Sequence, residues 1–470
     1  MNQATAVRQI SKCTIKPHHS LDESHHQQVC YLTPWDIAML SAHYIQKGLL
    51  FSKPQPSAED PNPTITFIDQ LKHSLSLTLT HFFPLSGRLV TKKQDDPPSY
   101  SVYLDCSSHS LGAEFIHAAA DVNMVDIISP VDVPPIVKSF FVLDGAVNHD
   151  GHTMPLLVIQ VTELLDGIFV GCCFNHVVGD GTSYWHFFNS WAEICRTIRT
   201  SNGEIQNISR PPIIKRWFLG DQEDPTINLP FSHHDEFIER YRSPPLRERI
   251  FHFTPESMAK LKAKANAECN TGNKISSFQA LSALMWRSIT RARCLPADQK
   301  TGCKLAINNR SRLDPLVSEN YFGNCIQTVG GTTTAGELLS HGLGWAALML
   351  HEAVIGHTNE KVRGWLEAWM KNPYIYALGP FFDPFSVMMG SSPRFDMFGC
   401  EFGLGRAVAA RSGYANKFDG KVSSYPGPGG IGSVNLEVCL RPDFMSALES
   451  DEEFMSAVSP HEVHILALFD

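Results

Sequence analysis

Short apolar runs alternate with helix-spaced apolar positions along this chain of 470 residues. The clearest unit spans 155–198, where apolar runs at 156–161 and 168–174 have the length and residue content of buried strands. A helix is expected directly after them, because the aromatic residues at 184, 187, 188 and 191 share one helical face. Two strands followed by a helix are typical of an α/β fold.

The same periodicities predict further elements on both sides of this unit. Helices are expected over 37–50, 67–83, 255–267, 276–293 and 336–357, and strands over 99–104, 305–307, 434–440 and 464–468. From 201 to 245, prolines and scattered charges interrupt the pattern for longer than an ordinary loop inside a compact domain. We therefore predict two α/β domains, 1–205 and 246–470, joined by a connection over 206–245.

Composition and charge narrow the classes of function. With 48 acidic and 39 basic residues the formal charge is −9, which disfavours nucleic acid or an anionic membrane surface as the main partner. No apolar run approaches the ~18 residues of a membrane span, so none is expected. The N-terminus lacks the apolar stretch of a secretory signal, and the 12 cysteines contain no CxxC pair. These features predict a cytoplasmic protein with reduced thiols.

One short motif places chemistry-bearing residues between a predicted strand and a predicted helix. His176 and Asp180 form an H-x-x-x-D pair in that position, whereas the two other such pairs in the chain, at 18/22 and 117/121, lack this context. Catalytic groups concentrate in loops at strand ends of α/β proteins, and a histidine can act as a general base near neutral pH. The alternatives are a buried structural histidine and an aspartate that only caps the helix.

Two other motifs do not support a cofactor or metal site. Residues 427–432 match G-x-G-x-x-G but lead into a predicted strand, which favours a hairpin loop over a nucleotide site. His351-Glu352 lacks the correctly spaced second histidine of a zinc-binding helix. No metal site is therefore predicted.

Polar residues at two predicted element ends in the second half have two interpretations each. Lys274, Ser276 and Ser277 open a predicted helix and could hold a phosphate, although simple capping is the favoured interpretation. Arg310 follows the predicted strand at 305–307 and could be a surface charge, an ion-pair partner or a phosphate ligand. These positions alone do not decide between the interpretations, so the motifs must be considered together.

Eight short sequence blocks follow one another along the chain, and their order is specific when they are taken together. They are Leu32-Thr33-Pro34-Trp35-Asp36, Pro84-Leu85-Ser86-Gly87-Arg88-Leu89, the H-x-x-x-D block at 175–181, 276–281 with Trp286-Arg287, Asn309-Arg310-Ser311-Arg312, 320–324, Glu401-Phe402-Gly403-Leu404-Gly405 and 416–427. Together they resemble the plant BAHD family of acyl-CoA-dependent acyltransferases over nearly the whole chain.

The resemblance implies an α/β fold of two chloramphenicol-acetyltransferase-like domains, with mixed sheets flanked by helices and an active-site tunnel between them. It implies that His176 is the general base for transfer of an acyl group from acyl-CoA to a hydroxyl or amine of a small-molecule acceptor of specialised metabolism. Asp180 would turn away from the tunnel and pair with Arg310, which shapes the loop that carries the histidine.

The resemblance also implies how the substrates are held. Lys274, Ser276 and Ser277 would lie near the CoA phosphates. Acyl-CoA would be a co-substrate, with no cofactor bound permanently, and the protein would be a monomer.

Two departures from the family pattern bear on the chemistry. The family's DFGWG reads EFGLG here, so Glu401, Gly403 and Gly405 keep a structural motif whose tryptophan is replaced by Leu404. The Thr-Ser-Trp of many relatives is replaced by Ser391-Ser392-Pro393, which leaves the Ser391 hydroxyl as the candidate oxyanion donor.

These departures motivate a competing hypothesis. The chain could be a family member repurposed for a lyase or cyclisation reaction that does not use CoA. A ligand-binding protein without enzymatic activity is the third hypothesis, which nothing in the sequence favours because the histidine and its aspartate are both present.

Overall fold

Helices and strands of a mixed α/β fold make up the described part of the chain, which in this computed structural model comprises residues 6–18, 29–107, 112–200, 208–220, 226–270, 272–381 and 383–460. Within it the α-helices are α1 (Pro34–Ile37), α2 (Pro63–His81), α3 (Met124–Ile128), α4 (Gly181–Thr200), α5 (Pro255–Glu268), α6 (Ser277–Ala292), α7 (Ala335–Ser340), α8 (Leu343–Ile355), α9 (Asn359–Lys371), α10 (Leu378–Phe381), α11 (Pro442–Glu449) and α12 (Glu452–Met455).

The strands of the described residues fall into both halves of the chain. In chain order they are β1 (Arg8–Ile15), β2 (Val29–Tyr31), β3 (Ile45–Ser52), β4 (Arg88–Asp95), β5 (Pro98–Asp105), β6 (Ala113–Ala119), β7 (Leu157–Glu163), β8 (Gly167–Phe174), β9 (Arg247–Phe253), β10 (Lys300–Asn308), β11 (Ile326–Thr334), β12 (Val387–Gly390), β13 (Ala409–Ser412), β14 (Lys421–Pro426) and β15 (Val434–Leu440).

Two mixed sheets organise these strands. The first has the order β1-β6-β7-β8-β3-β13 and the second the order β11-β10-β12-β14-β15-β9, while β2, β5 and β4 form a smaller sheet. Strands β6 and β7 run parallel in the first sheet, and β10, β12 and β14 run parallel in the second. The predicted α/β class with two sheet-containing units and flanking helices is confirmed.

Each large sheet is covered by amphipathic helices that bury its apolar side chains. Against the first sheet, α2 and α4 pack together, and the buried Trp191 donates from Nε1 to Ser74 Oγ at 3.0 Å. Against the second sheet, α6 and α8 pack together, and the buried Trp286 donates from Nε1 to Thr301 Oγ1 at 3.1 Å. Large indoles are therefore buried with their single polar atom satisfied.

The predicted helix over 37–50 is wrong. Only Pro34–Ile37 is helical there, and Ile45–Ser52 is the strand β3, which lies between β8 and β13. Apolar cores cover both faces of β3, so its sequence lacks the alternation by which a half-exposed strand is recognised. At Gly48 a Cβ atom would lie 2.5 Å from the Phe169 ring, so the glycine is required by close packing within the sheet.

The predicted helix over 336–357 is two helices. α7 ends at Ser340 and α8 begins at Leu343. A Cβ atom at the intervening Gly342 would lie 2.5 Å from the Glu268 carboxylate, which itself accepts a hydrogen bond from Gly344 N at 2.7 Å. The break is thus set by a contact with α5 that local periodicity does not contain.

The remaining element predictions agree with the structure to within a few residues. Helices α2, α4, α5 and α6 and strands β5, β7, β8, β10 and β15 lie where they were expected. The G-x-G-x-x-G stretch is the turn of the antiparallel β14–β15 hairpin. The predicted strand at 464–468 lies outside the described residues.

The division into domains at 205 and 246 stays a prediction, since residues 201–207 lie outside the described part. Strand β13, from the C-terminal half, pairs antiparallel with β3 of the first sheet, so a strand crosses between the two halves. Among the described residues, no helix has both the length and the apolar character needed to cross a bilayer.

Candidate active site

Two buried asparagines, Asn175 and Asn148, hold the backbone around His176, which follows the end of β8. Asn175 donates from Nδ2 to the Asn148 carbonyl oxygen at 2.9 Å, and the Asn148 side-chain oxygen accepts from His176 N at 2.8 Å. The Asn175 side-chain oxygen accepts from Val177 N at 3.0 Å, which closes a tight turn. The backbone at His176 is thereby anchored to the Asn148 segment as well as to its own turn.

Asn324 determines which ring nitrogen of His176 carries the proton. Its Nδ2 lies 2.9 Å from Asp36 Oδ1 and 2.7 Å from the His176 carbonyl oxygen, and both of these atoms can only accept. The Asn324 side-chain oxygen therefore faces His176 Nδ1, at 3.1 Å, and must accept from it. A neutral His176 consequently carries its proton on Nδ1, which leaves the Nε2 lone pair free to take a proton.

The surroundings favour the neutral form of His176. Burial lowers the pKa of the imidazole below its ordinary value, and the nearby Lys421 charge lowers it further. The Asp180 charge and the Asn324 hydrogen bond raise the pKa without cancelling the effect of burial. His176 is therefore unprotonated at neutral pH, as a general base must be.

Asp180 and Arg310 form a fully buried ion pair beside this turn. Arg310 donates from Nη1 to Asp180 Oδ2 at 2.7 Å and from Nη2 to Oδ1 at 3.1 Å. Asp180 also accepts from Ser183 N, as a cap of α4, and from Cys325 N, each at 3.0 Å. Burial would raise the pKa of Asp180, but the arginine charge and these hydrogen bonds hold the pKa below its ordinary value.

The Asp180–Arg310 pair fixes the loop between β8 and α4. Arg310 Nη2 also donates to the carbonyl oxygens of Tyr321 and Gly323, at 3.1 and 3.0 Å, so one guanidinium joins the start of α4 to the segment that carries Asn324. Both carboxylate oxygens of Asp180 are occupied by protein donors. Asp180 therefore both caps α4 and pairs with Arg310.

A second arginine, Arg216, ties the connection between the two halves to the same turn. Its side chain is buried and donates from Nη2 to the Val178 carbonyl oxygen at 2.9 Å and from Nη1 to the Phe322 carbonyl oxygen at 2.8 Å. The segment predicted only as a connection therefore contributes a structural link beside the candidate base.

A cavity of about 830 Å³ opens in front of His176 and is lined by residues of both halves. Its walls include Lys47 and Trp185 from the first half and Asn308, Ser391 and Lys421 from the second. This volume lies in the range of small-molecule sites and of cofactor sites. The arrangement can place a small substrate against a neutral, oriented imidazole.

Comparison with known proteins bears on what this site does. A sequence model of the transferase family matches residues 5–455. The chain belongs to the BAHD transferase family. It is 38% identical over 452 residues to an uncharacterized acetyltransferase of Arabidopsis thaliana, which covers 95% of this chain and 98% of the relative. It is 34% identical over 441 residues to the BAHD acyltransferase DCR of the same plant, covering 90% of this chain and 88% of the relative.

Solved structures show the same fold at low sequence identity. Vinorine synthase superposes with a TM-score of 0.70 at 19% identity, covering 96% of this chain and 98% of that one. The F. sporotrichioides TRI101 structure, complexed with coenzyme A and T-2, superposes with a TM-score of 0.67 at 18% identity, covering 92% and 99%. The BAHD fold of this chain thus extends through both of its halves.

The EFGLG segment of this BAHD protein lies outside the cavity lining. Phe402 is buried against Trp191 of α4, with ring centroids 4.7 Å apart, and its φ of +48° begins a turn that continues at Gly403 and Gly405, with φ of +86° and +84°. Only glycine adopts such values readily. The segment supports α4, at whose start Asp180 lies, and Glu401 does not line the cavity.

Ser391 is the one residue of the altered Ser-Ser-Pro segment predicted to act on the reaction, and it does line the cavity. It follows β12 directly and has a φ of +63°, a left-handed backbone conformation that is uncommon outside glycine. Such strained positions cluster at functional sites.

The three residues predicted near the CoA phosphates are not brought to His176. Ser276 caps α6, because its side chain accepts from Gln279 N at 3.2 Å while Gln279 reaches back to Ser276 N at 2.8 Å. Lys274 is exposed and Ser277 is half-buried, and none of the three is among the described residues that line the cavity. The capping interpretation accounts for Ser276 in the structure.

Three positioning residues were missed by the sequence reasoning. Asp36 and Asn324 both belong to sequence blocks of the family pattern, at 32–36 and 320–324. Neither block shows that the two side chains meet in the fold. Arg216 lies in a proline-rich connection without a recognisable pattern.

Replacing Asn324 with alanine is expected to lower kcat by about 10- to 100-fold, because loss of one neutral hydrogen bond and of the fixed tautomer misdirects the Nε2 lone pair. The Asn324 bond raises the pKa of His176, so the acidic limb of the kcat/KM profile should shift to lower pH in Asn324→Ala. The limb of the unaltered protein should lie below pH ~6.5.

The matched control is Asn320→Ala, four residues away, whose side-chain oxygen accepts from Arg210 Nε at 3.1 Å near the surface. It should leave the position of the acidic limb unchanged. A lower kcat with an unmoved limb in Asn324→Ala would mean that Asn324 supports only the fold.

Proposed function

We propose that this protein transfers an acyl group from an acyl-CoA thioester to a hydroxyl or amine of a small-molecule acceptor. The observation that carries the proposal is the imidazole of His176, neutral and held with Nε2 free, at a cavity lined by both halves. Membership of the BAHD transferase family supports the same class of reaction.

In this reaction His176 Nε2 takes the proton of the acceptor hydroxyl or amine as that atom attacks the thioester carbonyl carbon. A tetrahedral intermediate forms with negative charge on the former carbonyl oxygen. The C–S bond then breaks, the acyl group stays on the acceptor, and the CoA thiolate receives the proton from the imidazolium. A thiol of pKa ~8.5 leaves readily, so positioning of the base and stabilisation of the oxyanion limit the rate.

Ser391 is our candidate donor to the oxyanion. Its hydroxyl belongs to a cavity-lining residue whose backbone is in the left-handed region, and the family's tryptophan is absent from the neighbouring position. Asp180, Arg310, Glu401, Gly403 and Gly405 would act by keeping the turn and α4 in place.

Acyl-CoA would enter as a co-substrate. The structural relative TRI101 in complex with coenzyme A supports this proposal, because it has the same fold over both halves. Lys274, at the exposed start of α6, remains our candidate for the CoA phosphates together with Ser276 and Ser277, since amino groups and hydroxyls at a helix start suit anions. A cytoplasmic monomer remains the expectation for the whole protein.

The test is release of CoA thiol from acetyl-, malonyl-, benzoyl-, hydroxycinnamoyl- and long-chain acyl-CoAs in the presence of a plant metabolite extract. We expect one donor class to release thiol only when the extract is present, and the acceptor to be recovered as its ester or amide. Absence of thiol release with every donor would overturn the proposal.

The competing function is a lyase or cyclisation reaction without CoA, which the Ser391-Ser392-Pro393 replacement favours because it removes the family's indole beside the site. It predicts that the extract changes in a His176-dependent way without thiol release. Saturating coenzyme A would then leave that turnover unchanged, whereas acyl transfer would be inhibited by its product.

A further inference from the structure

Lysines from three places in the fold line one part of the cavity. Lys47 comes from β3, Lys421 from the start of β14, and Lys417 from the loop before it. The two strands belong to different sheets, so the cluster exists only in the folded chain. The general base mechanism uses none of these side chains.

Lys417 is committed to two buried carboxylates. It forms ion pairs with Glu248 and, at 3.1 Å, with Glu437. Glu437 also accepts from Ser412 Oγ at 2.5 Å, and Glu248 is shared with Lys138 at 3.1 Å. The ion pairs of these two carboxylates are thus made by Lys417 and Lys138. Burial would raise the pKa of Glu437, but the charges of Lys417 and Lys47 lower it to about 2.

The side-chain ammonium of Lys421 has no ion pair or hydrogen bond among the described residues. It lies 5.8 Å from the centre of the Phe418 ring, at the edge of a cation–π contact. Gly390 of β12 leaves room for the ammonium, because a Cβ atom there would lie 2.2 Å from Lys421 Nζ. A side chain at 390 would displace the ammonium from this wall of the cavity.

Lys47 lies in a similar position without an ion pair. Its Nζ donates to the Tyr425 hydroxyl at 2.5 Å, and no carboxylate of the described residues lies within ion-pair distance of it. Burial lowers the pKa of Lys47 and of Lys421 to about 8 each, so both are still mainly charged at pH 7. Both ammonium groups thus face the cavity with no carboxylate of the described residues within ion-pair distance. The carboxylate charge that acts on both is that of Glu437, which is already paired with Lys417 and accepts from the Tyr425 hydroxyl at 3.3 Å. A buried charge without an ion pair is costly.

We propose that Lys421 and Lys47 bind a carboxylate group of the substrate, so that one of the two molecules joined in the reaction is an acid. The inference rests on the proposed function for the identity of those molecules. The carboxylate belongs either to the acyl group, as in a dicarboxylic acyl-CoA, or to the acceptor.

The location of Lys421 excludes the CoA phosphates as the anion. Lys421, Lys47 and His176 line the same cavity, so the subsite shares that cavity with the base where the thioester carbonyl must be. In CoA the phosphates are separated from the thioester by the whole pantetheine arm. A phosphate therefore cannot occupy this subsite while the thioester is beside the base.

Binding is tested first, without turnover. The thermal unfolding midpoint of the unaltered protein is measured with succinate or 4-coumarate. The neutral controls are dimethyl succinate and methyl 4-coumarate. We expect the acids to raise the midpoint in a saturable way and the esters not to, because a ligand that binds only the folded state stabilises it. Equal effects of acid and ester, or no effect of either acid, would overturn the proposal.

Lys421→Met then assigns the binding to this side chain, since it removes the charge and keeps an unbranched chain of similar length. Lys361→Met, at an exposed lysine of α9, is the matched control. The acid-specific stabilisation should be lost in Lys421→Met, retained in Lys421→Arg and unchanged in Lys361→Met. Retention in Lys421→Met would contradict the assignment.

Paired substrates distinguish the two sources of the carboxylate. Malonyl-CoA is compared with acetyl-CoA as donor, and shikimate with methyl shikimate as acceptor. In one of the two pairs, Lys421→Met should lower kcat/KM for the acidic compound by about 10- to 100-fold, which is the size of a lost charge-assisted hydrogen bond. The kcat/KM for the compound of that pair without the carboxylate should change little. Equal losses for both members would overturn the proposal.

The two proposals fail separately. If the acids stabilise the protein through Lys421 but no donor releases thiol, the proposal of acyl transfer is rejected and the proposal of a carboxylate subsite is supported. Thiol release that does not distinguish acids from esters would keep acyl transfer and remove the subsite.

Discussion

In His176→Ala, kcat for acyl transfer is expected to fall by about 10²- to 10⁴-fold, the contribution of a positioned general base. The reason is that Nε2 of the neutral ring is left free to receive the acceptor's proton, while both oxygens of Asp180 are occupied by protein donors. The KM values for both substrates should change little, because proton transfer stabilises the transition state. The measurement is steady-state thiol release across the donor panel.

His186 provides the matched control, because it lines the same cavity and its Nε2 donates to the Arg210 carbonyl oxygen at 2.7 Å. The His186 Nδ1 atom is buried without a hydrogen-bond partner, so His186 is also the rival base among the described cavity residues. His186→Gln should retain most of the turnover. Loss of turnover in His186→Gln but not in His176→Ala would transfer the base assignment to His186.

Arg310→Met is expected to lower the free energy of unfolding by about 3–5 kcal/mol, because it leaves the fully buried Asp180 carboxylate without its counter-charge. It also removes the guanidinium contacts to the Tyr321 and Gly323 carbonyl oxygens. The midpoint of urea unfolding at pH 7 measures this effect. The pKa of Asp180 is lowered in the folded protein, so this stabilisation is present at neutral pH and is lost as pH falls through that lowered pKa.

Arg441→Met serves as the comparison, since the Arg441 side chain is exposed and its guanidinium carbon lies 5.5 Å from the centre of the Phe444 ring, with no ion pair among the described residues. Its unfolding midpoint should stay close to that of the unaltered protein. In the double variant Asp180→Leu with Arg310→Met, part of the lost stability should return, because both buried charges are then absent. An unchanged midpoint in Arg310→Met would show that the pair does not support the fold.

The local elements were predictable where the sequence shows one apolar helical face or an uninterrupted apolar run of strand length. Helix α4 was recognisable because its aromatic residues share a face, and β7 and β8 because they are apolar throughout and of strand length. Strand β3 was missed because cores on both sides leave no alternation and because Gln46, Lys47 and Gly48 interrupt its apolar run. The break before α8 was missed because Glu268 of α5 occupies the space beside Gly342. Both errors come from contacts with distant elements.

The candidate site was likewise predictable only in part. A motif with its spacing was sufficient to select His176 and Asp180, and the order of the motifs was sufficient for the family. The pairing partner Arg310 was implied by the resemblance, and Arg310, which is 130 positions after Asp180 in the sequence, meets it only in the fold. Asn324, which sets the tautomer of His176, is 148 residues away from it.

By itself, therefore, the sequence determined the fold class, the family and the two motif residues between β8 and α4, because these depend on local periodicity and on motifs within a few residues. The proton position on His176, the role of Arg216 and the unpaired ammonium groups of Lys47 and Lys421 were decided only by the tertiary structure. Hydrogen bonds and charges act over a few ångströms between atoms, and only folding brings residues from separate strands and loops within that range.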